Sequence, residues 1–249
     1  MNEMRLINKY LNLLEASLTG TLYKDPPQDP WAGNAYNPTL RALGRDWPAL
    51  AQTMIGSARM RNLRGACETA IRDEVPGDFI ETGVWRGGAC IFMKGIIEAY
   101  GEATRRVFVC DSFQGLPKPD TQKYAADTGD VHHTYAQLAV SKKDVEDNFR
   151  NYCLLDDRVM FLEGWFKDTL HLAPIEKLAV CRIDGDMYES TIQALDALYA
   201  KLQPGGFLIV DDYFLAPCAQ AVNEFRAKHG IVEPILPIDG MGAYWRRNR

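Results

Sequence analysis

The sequence predicts an α/β fold with a mostly parallel, doubly wound sheet of seven strands, and three observations predict it. Short apolar runs alternate with helical stretches through residues 78–229, which is the pattern of repeated β-α units. Several of those runs end on glycine or an acid: Gly83, Asp111, Gly164, Asp184 and Asp211. The last two apolar runs meet at Asp239-Gly240-Met241-Gly242, a hairpin signal that adds an antiparallel end to the sheet.

The elements follow in order. Ile7, Leu11, Leu14, Leu18 and Leu22 recur at helical spacing and form one apolar stripe. Pro26, Pro27 and Pro30 exclude regular structure from residues 24–33, so that stretch reads as a loop and a mobile cover over a site. Residues 47–72 read as one or two helices, with Leu50, Met54, Ala58, Leu63 and Cys67 on apolar faces. Residues 78–83 are the first strand, and a helix runs from Gly87-Gly88 to about residue 100. Residues 106–111 are the second strand. A polar loop at 115–142 is too long for a simple connection and reads as functional. A helix at 143–155, a third strand at 159–164 and a short helix ending at the Pro174 turn come next. The fourth strand, 178–184, leads to a helix at 188–202. Pro204-Gly205-Gly206 turns the chain into the fifth strand, which ends at Val210. A helix at 217–229 and strands at 232–238 and 243–247 complete the chain. Residues 1–75 are read as N-terminal helices with a lid segment and 76–249 as the catalytic domain, in one compact unit.

A net charge of -5 without a basic block argues against a nucleic-acid partner. No apolar stretch reaches membrane-spanning length, and the start Met1-Asn2-Glu3-Met4-Arg5 lacks a signal-peptide core. The six cysteines are scattered singly with no C-x-x-C pair, so they are expected to be reduced thiols of a cytoplasmic protein.

The turn Glu81-Thr82-Gly83-Val84-Trp85-Arg86-Gly87-Gly88 lies between strand and helix. Gly83 permits a tight turn, and Gly87-Gly88 let a ligand approach the backbone. Its spacing matches neither the dinucleotide fingerprint nor a phosphate-binding loop. A glutamate before the turn disfavours pyrophosphate and suits a cation, such as the sulfonium and amino groups of S-adenosylmethionine. Asp111 ends the second strand, where an acid can accept both ribose hydroxyls; an N-cap or a solvent-facing acid is the other reading. Gly164-Trp165-Phe166 offers aromatic surface for an adenine, or plain core. Asp184-Gly185-Asp186 and Asp211-Asp212 close two runs expected to be neighbouring parallel strands. Four carboxylates so gathered repel unless a cation or protons compensate, and a hard divalent metal suits them. Each pair can instead be a turn or a helix cap.

Five stretches taken together, Glu81 to Gly88, Asp111 to Gly115, Gly164 to Thr169, Asp184 to Asp186 and Asp211 to Tyr213, resemble the macrocin O-methyltransferase family. The family includes the macrolide sugar methyltransferases for tylosin and mycinamicin and the noviose methyltransferase of novobiocin biosynthesis. The similarity covers nearly the whole chain, ending at Tyr244-Trp245-Arg246-Arg247. It implies a Rossmann-like class I methyltransferase fold and transfer of methyl from S-adenosylmethionine to a sugar hydroxyl of a glycosylated small molecule. It also implies Mg2+ on Asp184, Asp211 and Asp212, Asp186 as general base, and a homo-oligomer, a dimer or a dimer of dimers. The cofactor set is then Glu81, Thr82, Gly83, Gly87, Asp111, Ser112, Gly164, Trp165, Phe166 and Asp184.

A sugar hydroxyl is a poor nucleophile at neutral pH, so metal and base should act together. Asp186, two residues from Asp184, is placed for that. A phenolic or catechol acceptor, a metal-dependent hydrolase and a non-catalytic S-adenosylmethionine-binding module are the competing readings. His132 and His133 can touch substrate, act as a base or sit inert in the long loop. Trp85 and Arg86 can orient ligand or pack the turn, and His171 and His229 read as helix-surface residues.

Overall fold

The computed structural model describes residues 2–29 and 31–248, with Asn2 described in its backbone only. Met1 and Pro30, which figure in the sequence reading, lie outside the described residues. The elements are α1 (Asn2–Leu18), α2 (Pro38–Ala42), α3 (Gly56–Arg72), β1 (Asp78–Thr82), α4 (Gly88–Ala99), β2 (Val107–Asp111), α5 (Lys142–Asn151), β3 (Val159–Glu163), α6 (Phe166–Thr169), β4 (Leu178–Ile183), α7 (Tyr188–Leu198), β5 (Leu202–Val210), α8 (Ala216–His229), β6 (Leu236–Pro237) and β7 (Ala243–Arg246). The sheet order is β3-β2-β1-β4-β5-β7-β6. The first five strands are parallel, and β7 pairs antiparallel with both β5 and β6. Chain order reverses direction between β1 and β4, so the crevice of this open sheet lies over their carboxyl ends.

Alternation along the strands sends side chains to two cores. Phe79, Val107, Val109, Val180 and Ile209 pack with α1, α3, α4 and α5 through Leu11, Met60, Ile91 and Phe149. Ile80, Phe108, Cys181, Leu208 and Val210 pack with α7 and α8 through Leu195, Leu198, Val222 and Phe225. The six cysteines are unpaired, and Cys153 is the exposed one.

Several expectations need correction. The apolar stripe of α1 ends at Leu18, and Leu22 lies beyond the helix, 58% exposed. Residues 47–55 are not helical, and Leu50 is 70% exposed. Their backbone is used elsewhere: Gln28 N–H donates to Trp47 O at 2.8 Å and Ala49 N–H to Pro26 O at 2.9 Å. The buried Asp25 accepts from the N–H groups of Leu50 and Ala51 at 2.8 and 2.7 Å. The proline loop is therefore strapped to residues 47–51 instead of hanging free. α2 was not expected, although its signals are present: Asn37 caps it by accepting from Thr39 and Leu40 N–H, and Pro38 follows at its first position. Pro204-Gly205-Gly206 lies inside β5, where the β4 pairing slips register, and is not the turn before it. The strand expected at 232–238 shrinks to β6. The helix at 143–155 stops at Asn151, and that at 188–202 gives way to a single 3-10 turn at Tyr199–Lys201.

Candidate active site

A cleft of about 800 Å3 opens over the carboxyl ends of β1, β2, β4 and β5. Its floor is set by Gly83, which follows β1 at φ +83°. A Cβ there would sit 1.6 Å from the carbonyl oxygen of Asp184, so this crossing of two strand ends admits glycine alone. Asp111 ends β2 and holds the same turn. One carboxylate oxygen accepts from Val84 N–H at 2.8 Å and the other from Phe113 N–H at 2.7 Å. Burial pushes the Asp111 carboxyl up, and these bonds pull against it. Ser112 Oγ also lies 3.4 Å from one of these oxygens, and the carboxylate faces the cleft. Ser112 Oγ donates to Gly115 O at 2.8 Å and accepts from Gln114 N–H at 3.0 Å, closing the next turn.

The carboxylates over β4 and β5 divide into two groups. Oxygens of Asp184, Asp186 and Asp212 lie within 4.8 Å of one another. Asp186 adopts a left-handed φ of 55°, which Asp tolerates better than most residues, and its N–H donates to Asp212 at 3.2 Å. Burial, then the neighbouring charge of Asp184, raises Asp186 to about 7; His132 opposes them, and Asp211 and Asp130 add smaller upward pushes. Burial and mutual repulsion also raise Asp184 and, more strongly, Asp212. Asp211 turns instead to two buried arginines: one oxygen meets Arg59 and the other Arg182. Asp211 and Asp212 follow the end of β5, where the bending chain aims consecutive side chains at different partners.

Arg182 is the hub. It lies fully buried on β4 and also pairs with Glu81 and, at 2.8 Å, with Asp184. Glu81 therefore lines the cleft with its carboxylate held by Arg182 and by Cys90 Sγ, which donates at 3.0 Å. Burial raises Glu81 to about 7, offset in part by Arg182. Arg59 adds Asp239 at 3.1 Å and the carbonyl of Gly44 at 3.2 Å. The sequence reading missed both arginines. The signal was a cation inside an otherwise apolar strand, since buried arginine requires partners.

Glu81, Gly83, Asp111, Ser112, Trp165, Phe166, Asp184, Asp186, Asp211 and Asp212 all line the cleft. Thr82, Gly87 and Gly164 are outside that lining, and their surroundings explain why. Thr82 is fully buried, its hydroxyl without a partner. At Gly87 a Cβ would meet Val145 at 2.7 Å. At Gly164 a Cβ would meet Thr169 at 2.8 Å. Arg86 packs the turn by donating to the carbonyls of Pro48 and Ala51 at 3.2 and 2.9 Å. Trp85 lines the cleft, and its ring N–H donates to Gln137 O at 2.8 Å.

That tryptophan bond and Asp127 both help to hold the 115–142 loop. The buried Asp127 carboxylate accepts from the N–H groups of Tyr188 and Glu189 at 2.7 and 3.0 Å, capping α7 from a distance. The loop thereby brings His132, His133 and Tyr135 to the cleft beside Trp31 and Trp47. The rings of Trp31, Trp47 and Tyr135 meet edge to face, with centroids 4.8 to 6.3 Å apart.

A sheet of this order with an antiparallel end, a glycine turn after β1 and an acid ending β2 define a class I methyltransferase fold. The solved structure of the O-methyltransferase NovP superimposes with a TM-score of 0.94 at 50% identity, covering 98% of this chain and all (100%) of that one. The sequence profile described as Macrocin-O-methyltransferase (TylF) matches residues 7–247, and the chain belongs to that family of O-methyltransferases. Among relatives, the demethyldecarbamoylnovobiocin O-methyltransferase of Streptomyces niveus is 50% identical over 245 residues, 96% of this chain and 94% of the relative. The 8-demethyl-8-(2,3-dimethoxy-alpha-L-rhamnosyl)-tetracenomycin-C 4'-O-methyltransferase of Streptomyces olivaceus is 48% identical over 239 residues, 95% of this chain and 92% of the relative. The resemblance drawn from the five sequence stretches is thus the correct one. Among the described residues no helix is long and apolar enough to cross a membrane.

Proposed function

We propose that the protein transfers the methyl group of S-adenosylmethionine to a sugar hydroxyl of a glycosylated natural product, with Mg2+ bound beside the acceptor. The observation that carries this reading is the convergence of the Asp184, Asp186 and Asp212 oxygens within 4.8 Å, at strand ends adjoining the Gly83 turn and Asp111. The donor set fits a hard divalent ion: every donor is a carboxylate oxygen, and the raised carboxyls of all three residues mark negative charge that a cation would neutralise. Asp184 and Asp212 would hold the ion. Asp211 would join them through the lone pairs that Arg59 and Arg182 leave free. When bound, the ion supplies positive charge that favours the deprotonated acceptor hydroxyl.

The remaining steps belong to side chains of this chain. Asp111 binds the ribose hydroxyls, while Trp165 and Phe166 flank the adenine. Glu81 faces the cofactor's amino group, whose positive charge favours the ionised carboxylate. Asp186 accepts the acceptor proton as the oxygen attacks the methyl carbon in line with the departing sulfur. Rhamnosyl tetracenomycin, the acceptor in one relative's name, supports a glycoside here. Exposed Leu6, Tyr10 and Leu13 along α1 support a homo-oligomer, which light scattering of the purified protein checks. The unpaired cysteines are in keeping with a cytoplasmic enzyme.

The test is methyl transfer followed by mass spectrometry, with demethyldecarbamoylnovobiocin as acceptor. Metal-stripped protein should be inactive and Mg2+ should restore it. Turnover undiminished by chelator would overturn the metal role, and transfer to a free catechol but to no glycoside would overturn the acceptor class.

A further inference from the structure

We infer that Trp31, Trp47 and Tyr135, with His132 beside them, form a stacking wall for a planar aromatic aglycone on the acceptor. The inference rests on the glycoside methyl-transfer reading above and names the class of aglycone it takes. All four rings line the cleft that also holds Asp184, Asp186 and Asp212. The cofactor assignments use Trp165 and Phe166 and leave these four rings without a role. Two separate segments supply the wall, and a carboxylate holds each of them. Asp29, 5% exposed, accepts from the backbone N–H groups of Trp31 and Trp47 at 3.2 and 2.7 Å, one through each oxygen. Asp130 accepts from the His132 backbone N–H at 2.9 Å and lies 2.7 Å from Nδ1. Tyr135 N–H then donates to His132 O at 3.1 Å. The rings meet edge to face, at 69° to 80° among Trp31, Trp47 and Tyr135 and at 63° between His132 and Tyr135. Trp31 nevertheless stays 54% exposed. Large apolar side chains left in water at the edge of a cleft mark a binding surface, and rings already held in place lose little further freedom when a ligand covers them.

Such a wall selects by shape and by ring electrostatics. The acceptor hydroxyl has to reach the carboxylates, so its sugar lies over Asp186 and Asp212, and the group bonded to that sugar extends along the rest of the cleft. Ring centroids 4.8 to 6.3 Å apart make a wall wider than a single ring, with few hydrogen-bonding groups to offer a hydroxyl-rich partner. A flat π system gains from it twice. It removes apolar area from water, and offset or edge-on ring pairing adds roughly 2- to 10-fold in affinity beyond that area.

The experiment compares wild type, Trp31→Ala, Trp31→Phe and Tyr135→Leu with S-adenosylmethionine and Mg2+ on two acceptors. One is demethyldecarbamoylnovobiocin, whose aglycone is aromatic; the other is the cyclohexyl glycoside of the same sugar. Wild type should show the lower KM for the aromatic glycoside. Trp31→Ala should raise that KM roughly 10- to 100-fold and leave kcat unchanged, Trp31→Phe should restore most of it, and Tyr135→Leu should raise it from the other segment. The KM for the cyclohexyl glycoside should rise less in each variant. Calorimetric titration of demethyldecarbamoylnovobiocin into protein saturated with S-adenosylhomocysteine, independent of turnover, should show the same loss of affinity. A wild type that does not distinguish the two acceptors, an unchanged KM in both Trp31→Ala and Tyr135→Leu, or a fall in kcat alone overturns the stacking wall. An equal rise in KM for both acceptors also overturns it, since the rings would then grip the sugar. A wild type that methylates neither glycoside overturns the functional reading beneath it instead.

Discussion

Replacing Arg182 by Met should destabilise the protein strongly, although Met fills much of the same volume. Arg182 is fully buried and pairs with Glu81, Asp184 and Asp211. Replacing a whole buried ion group by apolar residues is often neutral, but removing one partner leaves uncompensated charge and costs about 3–5 kcal/mol. Here three carboxylates lose their shared cation, and Asp211 keeps only Arg59. In a chain of this size each kcal/mol lowers Tm by about 2–4 °C, so a fall of roughly 6–20 °C is expected. Mg2+ should raise the Tm of Arg182→Met more than that of wild type, because the ion replaces the missing positive charge. Circular dichroism melts with and without Mg2+ measure both effects. A variant as stable as wild type, with the same response to Mg2+, would refute the assignment of Arg182 as counter-ion to the cleft.

Three further outcomes are expected. Glu81→Gln should flatten the pH dependence of stability in metal-free protein. Glu81 is raised from an ordinary 4.5 to about 7, so its folded form binds the proton more tightly. Its favourable contribution is complete below about 4.5 and lost as pH rises through about 7; melts at pH 5 and 8 should therefore diverge less in the variant than in wild type, the remainder coming from the raised Asp184, Asp186 and Asp212, while cofactor affinity falls. Gly83→Ala combines a left-handed φ, about 1–2 kcal/mol, with an overlap on the Asp184 carbonyl, about 1–3 kcal/mol. Urea unfolding should show a loss of roughly 2–5 kcal/mol, and a value under about 1 kcal/mol would contradict the close crossing. Asp127→Ala should remove about 1 kcal/mol of helix capping and speed proteolysis within 115–142; unchanged cleavage there would mean that Asp127 does not anchor the loop.

The parallel strands were legible because each is a short apolar run stopped by a turn residue, as in Asp78–Thr82 before Gly83. The acids were legible because a parallel sheet gathers strand ends, so sequence neighbours of distant strands become neighbours in space. What the sequence did not reveal was which oxygens remain free. Asp211 and Asp212 look equivalent in the chain, yet Arg59, 152 residues away from Asp211, takes up one of them. Such pairings depend on tertiary packing and leave no local pattern. The same holds for residues 47–55, where helical spacing of apolar residues yielded to hydrogen bonds from the proline loop, and for Gly87, where the demand for a small residue comes from Val145 on another helix. His132 was visible only as a loop histidine. Its pairing with Asp130 and its arrival at the cleft depend on how the loop is held, with Asp127 capping α7.

The most direct measurement is anomalous diffraction from crystals soaked with Mn2+ in place of Mg2+ in the presence of S-adenosylhomocysteine. One manganese peak between Asp184 and Asp212, with the Asp186 side chain beside the acceptor space, is the expected result. A cleft without a peak, or manganese held elsewhere on the protein, would contradict the proposed metal-assisted transfer.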